Sequence, residues 1–230
     1  MASRPADLSR VTYLSVVPNK SDKIYQDIDS IIRIGENSSR GINFGKKIIY
    51  TYTEPTIDSL DFEIRIIDEI PYQEFNNKIF QIYCDSFDTD YVINFHSDGF
   101  IQCPDSWNDS FLDYDYLGAP ISWEGQVFCG NGGFSLRSKK ICKRVNEIFE
   151  SNKSNLKGIP EDVVVGYKLR DQLSVEGFKI GDLEIASKFS TEHKSTRGEY
   201  FYKSFGLHEI DRLYDLKLKE YRKRIQEKMI

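Results

Sequence analysis

The sequence predicts an α/β protein with a mixed, mostly parallel central sheet flanked by helices. Three observations predict it. β-rich apolar runs alternate with segments of helical periodicity in the N-terminal part of the chain, the pattern that builds an open α/β sheet. A polar cluster follows directly on one of those runs, at the strand end where open sheets gather ligands. The chain has 230 residues, of which 40% are hydrophobic and 29% charged, which suits a folded protein with one sizeable core. With no internal repeat and no clear linker, residues 1–230 read as one domain.

The elements follow in order. Val11 to Val17 is a β-rich run stopped by Pro18-Asn19, a first strand ending in a loop. Lys23 to Ile34 places Ile24, Ile28, Ile31 and Ile32 on one helical face. Lys46 to Thr53 and Phe62 to Ile67 read as strands, and Tyr72 to Phe87 as a helix with Phe75, Ile79, Ile82 and Tyr83 at helical spacing. Tyr91 to Phe95 is a short apolar strand, and His96-Ser97-Asp98-Gly99 stands at its carboxyl end. Ile101 to Gly133 reads as loop-rich and aromatic; helices are predicted over Lys139 to Ser151 and, entered through Pro160, over Glu161 to Leu173. The tail, about 209–230, predicts an amphipathic helix with Leu213, Tyr214, Leu218, Tyr221 and Ile225 on one side.

Charge excludes some functions. A formal net charge of -5 offers no global basic field for gripping nucleic acid. No run approaches the roughly 18 apolar residues of a membrane-crossing helix. Met1 to Arg10 lacks the apolar core of a signal peptide, so a cytoplasmic location is expected. Cys84, Cys103, Cys129 and Cys142 show no CxxC spacing and read as free thiols. The basic stretch from Lys217 to Lys228 suits either a solvated helix face or peripheral docking on an anionic membrane or a partner.

Four segments carry residues suited to chemistry. Asp98, after a buried strand and before Gly99, has the position of a strand-end carboxylate that holds a divalent cation, or of one that caps a turn. Phe111-Leu-Asp-Tyr-Asp-Tyr-Leu-Gly-Ala-Pro120 interleaves acids with aromatics, as a sugar site or a folded loop does. Gly130-Asn-Gly-Gly-Phe-Ser-Leu-Arg137 packs three glycines into four residues, which lets backbone pass close beneath a ligand. It has the order of neither a P-loop nor a dinucleotide fingerprint. Glu161-Asp162 either meets the helix dipole at a first turn or supplies a general base.

Taken together these segments resemble a family of GT-A-like glycosyltransferases from bacterial and viral glycan gene clusters, often known only as a domain of unknown function. The resemblance runs from about Phe62 to His208 and rests on the strand ending in Asp98-Gly99, FLDYDYLGAP, GNGGFSLRSKK, Glu161-Asp162, and the later FSxE and FGxH segments. It implies a GT-A-type, Rossmann-like sheet that binds a nucleotide sugar, with Mn²⁺ or Mg²⁺ at a DxD-like motif. Here that motif is His96-Ser97-Asp98, with Asp98 as the metal-holding acid and His96 in place of the first acid. By the same similarity His208 completes the metal shell, Asp162 is the base with Glu161 second, and the reaction inverts the anomeric carbon. Gly132 and Gly133 lie under the sugar beside Ser97, and Val17, Pro18 and Asn19 line the donor side. Asp115, Tyr116 and Trp123 are acceptor-side candidates, core packing being the other reading of the two aromatics. Arg137 meets either a phosphate or a neighbouring acid.

The function expected is transfer of a sugar from a UDP-, GDP- or dTDP-linked donor to a glycan hydroxyl. A nucleotidyltransferase is disfavoured because Pro18-Asn19-Lys20-Ser21 lacks the glycine-rich basic loop such enzymes carry after the first strand. The alternative from another class is a non-catalytic carbohydrate-binding or scaffold domain that keeps the fold.

Overall fold

A computed structural model describes residues 6–19, 27–192 and 203–208. Its first strand, β1 (Asp7–Val17), is buried at every position from Val11 to Val17, the mark of a strand covered on both faces. β1 pairs in parallel with β2 (Asn43–Thr51) on one side and β4 (Tyr91–Asn94) on the other. β3 (Glu63–Ile66) extends the parallel run beyond β2. The sheet then changes direction: β9 (Ser135–Ser138) lies antiparallel to both β4 and β6 (Tyr116–Gly118), giving the order β3-β2-β1-β4-β9-β6. The mixed, mostly parallel sheet of the prediction is present.

Side chains cap the first turns of several helices. Asp27 accepts from Ser30 N at the start of α1 (Ile28–Ser38), which buries Ile28, Ile31 and Ile32. Pro71 leads into α2 (Tyr72–Asp85), and Ser138 caps α3 (Lys139–Ser151) by accepting from Ile141 N. α2 and α3 meet through Phe80 and Phe149, whose ring centroids are 4.7 Å apart. Of the first predicted helix, Ile24 lies outside the described residues, as does the whole predicted C-terminal helix at 209–230.

Beyond β4 the sequence reading needs correction. The region read as loops contains β5 (Phe100–Ile101), β6, and a hairpin of β7 (Pro120–Trp123) and β8 (Gln126–Cys129). The hairpin closes on Glu124-Gly125, both with positive φ, the geometry that matches strand twist. These strands have two to four residues each, too short to show periodicity. The predicted helix from Glu161 to Leu173 is broken into α5 (Glu161–Val163), a π-helical turn (Val164–Lys168) and α6 (Arg170–Val175), after the short α4 (Lys153–Leu156). The π turn fits where Gly166 packs against the Cys129 carbonyl. α7 (Leu183–Phe189) is a helix the reading did not include.

A second, three-stranded sheet joins β10 (Ser190–Glu192), β11 (Gly206–His208) and β5. Phe134, Phe189 and Phe205 are wholly buried and hold it against the segment entering β9. Truncating one such phenylalanine would cost roughly 3–5 kcal/mol. Trp107 packs edge-on against Phe111 and Phe205, so its role is in the core. None of the four cysteines is in a disulfide; Cys129 and Cys142 are buried. No helix among the described residues is long and apolar enough to cross a membrane.

Candidate functional site

The antiparallel register of β4 and β9 sets Asn94 opposite Ser135. The carboxyl end of β4 therefore faces the amino end of β9, and the segments beyond each meet at one edge of the sheet. After β4 the chain makes a tight turn. His96 N donates to Gly99 O (2.8 Å) and Gly99 N to His96 O (3.3 Å), leaving Ser97 and Asp98 at the centre of the turn. Asn94 ties this turn to the glycine segment, its Nδ2 donating to Gly132 O (2.9 Å) and lying 3.1 Å from His96 Nε2.

The second sheet brings the third member. β5 leaves the turn and pairs with β11, so His208 arrives beside Asp98, with Nε2 at 3.6 Å from Asp98 Oδ1. One ligand atom from each of His96, Asp98 and His208 falls within 4.8 Å of the others. Asn131 fixes the far side of the His208 ring: its Nδ2 lies 2.8 Å from Nδ1 and donates to Glu192 Oε2 (3.2 Å), while its Oδ1 accepts from Phe134 N (3.2 Å). Two glycines permit this packing. A Cβ at Gly133 would overlap His208 Nε2, and one at Gly132 would overlap Glu161 Oε1.

Asp162 stands on the other flank of Gly132. Its Oδ2 accepts from Gly132 N (3.2 Å) and its Oδ1 from Val163 N (2.8 Å). Burial first, and then the charge of Glu161, push Asp162 up to about 7, against a weaker pull from the two amides and Arg137. A carboxyl poised there can exchange a proton near neutrality. Burial also pushes His96 down to about 4, with Asp98 opposing, so its imidazole is neutral at pH 7. A neutral imidazole and an ionised carboxylate are the forms that ligate a cation.

The expected site residues therefore separate. His96, Ser97, Asp98, Gly132, Gly133, Asp162 and His208 come together. Val17, Pro18 and Asn19 reach the same edge at the end of β1, where Ile70 N donates to Pro18 O and Asn19 Nδ2 to Ile70 O. Glu161 is diverted from base chemistry by a bidentate pair with Arg137, at 2.7 Å for both contacts. This also decides the role of Arg137, which meets an acid.

Asp115 and Tyr116 are corrections. Asp115 lies at the opposite end of the β4–β9 pair, bound to Ser138 Oγ (2.6 Å) and Lys179 N (2.9 Å). Tyr116 is wholly buried, with its hydroxyl on Gly130 O and its ring under Arg137, so no face is open to a sugar. Trp123 sits at the far tip of the hairpin whose base meets the glycine segment through Ala119 O. Asn94, Asn131 and Glu192 were not foreseen as site residues. Their signals were an asparagine closing an apolar strand, one set among glycines, and an acid three residues beyond a phenylalanine.

Residues 71–208 match the family described as Protein of unknown function (DUF5672), and the chain belongs to that family. No curated protein matches the sequence. Among solved structures, the chain is similar to the crystal structure of a glycosyltransferase involved in the glycosylation of the major capsid of PBCV-1. That alignment covers 94% of this chain and 98% of the other, at 14% identity and a TM-score of 0.46.

Proposed function

We propose that this protein is a glycosyltransferase that moves a sugar from a nucleotide-sugar donor to a glycan hydroxyl, with inversion. The observation that carries the reading is the convergence of His96, Asp98 and His208 beside an Asp162 held near neutrality, at the carboxyl edge of a mostly parallel sheet. Two imidazoles and one carboxylate within 4.8 Å fit a divalent cation. This donor set suits Mn²⁺ better than Mg²⁺, which favours an all-oxygen shell. When bound, such a cation neutralises charge developing on a leaving diphosphate.

The chain's own residues supply the rest. Asp162 takes the proton from the acceptor hydroxyl as its oxygen forms a bond to the anomeric carbon. The bond from that carbon to the diphosphate breaks on the opposite side, and its electron pair stays on the phosphate oxygen. The Gly132–Gly133 backbone, with Glu161 and His208 packed in the places of its missing side chains, ties Asp162 to the turn that holds Asp98. The ends of β1 at Val17 to Asn19 form the donor-side wall.

A thermal-shift panel of UDP-, GDP- and dTDP-sugars, run with Mn²⁺ or EDTA on wild type and Asp98→Ala, tests the reading. One donor should raise the melting temperature only with Mn²⁺ and only when Asp98 is present. If no nucleotide sugar stabilises the protein under any condition, the transferase reading fails, and glycan binding without catalysis takes its place.

A further inference from the structure

We infer that the buried Arg137–Glu161 pair is the positioning device for Asp162, fixing both where that carboxylate stands and the charge it faces. The inference rests on reading Asp162 as the base.

Each nitrogen of the Arg137 side chain donates a hydrogen bond. Its Nε donates to Ser135 Oγ (3.1 Å), and Nη1 and Nη2 donate to the two oxygens of Glu161. Its guanidinium carbon lies 4.4 Å from the ring centre of Tyr83 on α2 and 5.0 Å from that of Tyr116 on β6. Arg137 is only 3% exposed and Glu161 8%. This assembly joins α2, β6 and β9 to the first residue of α5, so the start of α5 has little freedom. Asp162 is the next residue, and its carboxylate hangs between Gly132 N and Val163 N. Glu161 Oε1 also abuts Gly132 at the place where a side chain would stand. The base is thus anchored on two sides by one ion pair and one glycine.

Stability alone is a weak reason for such a pair, because desolvation offsets most of the attraction between buried charges. Its location gives a better reason. The titratable groups facing Asp162 are Glu161, Arg137 behind it, and the phenols of Tyr83 and Tyr116. Burial raises both phenols far above their usual range, so they stay neutral. Glu161 is therefore the charge that acts most strongly on Asp162, and it opposes ionisation, while Arg137 favours it more weakly.

The test follows the Asp162 carboxyl carbon by NMR in the full chain labelled with ¹³C-aspartate, with Asp162→Asn supplying the assignment. In Glu161→Gln the repulsion is lost and Arg137 is left uncompensated. The titration midpoint should fall by about one pH unit or more from its wild-type position. Arg137→Gln/Glu161→Gln removes both charges and leaves no buried ion alone, which keeps the protein foldable. Its midpoint should fall between those of wild type and Glu161→Gln. If Glu161→Gln folds and titrates as wild type, or if the double variant does, the inference is overturned. The titration needs no donor. A shift that depends on Glu161 supports the inference even if every nucleotide sugar fails to bind, an outcome that would sink the transferase reading alone. Where a donor is found, the acid limb of kcat in Glu161→Gln should move with the NMR midpoint while KM for the donor holds; a loss of kcat with an unmoved limb would contradict the tuning role.

Discussion

The β4–β9 pair carries a partly or wholly buried aspartate near each of its two ends, and the two are treated differently. Asp115 accepts from Ser138 Oγ and Lys179 N, and Lys140 Nζ lies 3.0 Å from its Oδ1. Three donors, one of them charged, compensate its charge and tie β6 to the start of α3. Asp162 receives two backbone amides and has a second carboxylate as its neighbour. A buried carboxylate that is fully paired is a structural link, whereas one facing another acid keeps a proton to exchange. Asp115 faces a lysine and Asp162 a second acid, and that difference in neighbouring charge sets the two apart.

The largest test of that contrast is catalytic. Asp162→Asn keeps the size and the Gly132 contact but cannot take a proton, so transfer should fall by roughly 10²–10⁴ in kcat. Donor-induced thermal stabilisation should remain; equal loss of both would make Asp162 a binding group. Next in size, Arg137→Ala leaves Glu161 buried without its partner and should cost about 3–5 kcal/mol in chemical unfolding. Asp115→Asn should cost less, about 1–3 kcal/mol. It should leave the Mn²⁺-dependent thermal shift intact, since Asp115 lies away from the cluster. If Asp115→Asn abolished that shift, the division between the two ends would collapse.

A further effect is on the pH dependence of stability. Asp162 has its folded value raised to about 7 from an ordinary value of 3.8. Between those limits the folded state binds a proton that the unfolded chain has released. Its contribution to stability is therefore full below about pH 4 and lost as pH rises through about 7. Unfolding of wild type and Asp162→Asn at about pH 5 and pH 8 should show wild type losing stability relative to the variant at the higher pH. A parallel response in the two proteins would place Asp162 in the ordinary carboxylate range.

The part of the sheet formed by β3, β2, β1 and β4 was legible in the sequence, since its β-rich runs alternate with segments of helical periodicity. The remaining strands, β9 and β6, and the separate β7–β8 hairpin were not, because they are short and get their pairing from tertiary contacts. Asp98, Asp162 and His208 could be chosen as a site because each stands in a distinctive local segment. Asp115 looked equally suited, and only Ser138 and Lys179, distant in sequence, reveal that its hydrogen-bond capacity is taken. Glu161 stood second to Asp162 as a candidate base, and its pairing with Arg137 from β9 is what the sequence could not show.

The most direct measurement is Mn²⁺ binding to the full chain by electron paramagnetic resonance of the free ion. One bound ion is expected in wild type, tightened by a nucleoside diphosphate, with binding lost in Asp98→Ala and His208→Ala but kept in Asp115→Asn. Binding that survives both Asp98→Ala and His208→Ala, or no binding in wild type even with the diphosphate present, would contradict this expectation.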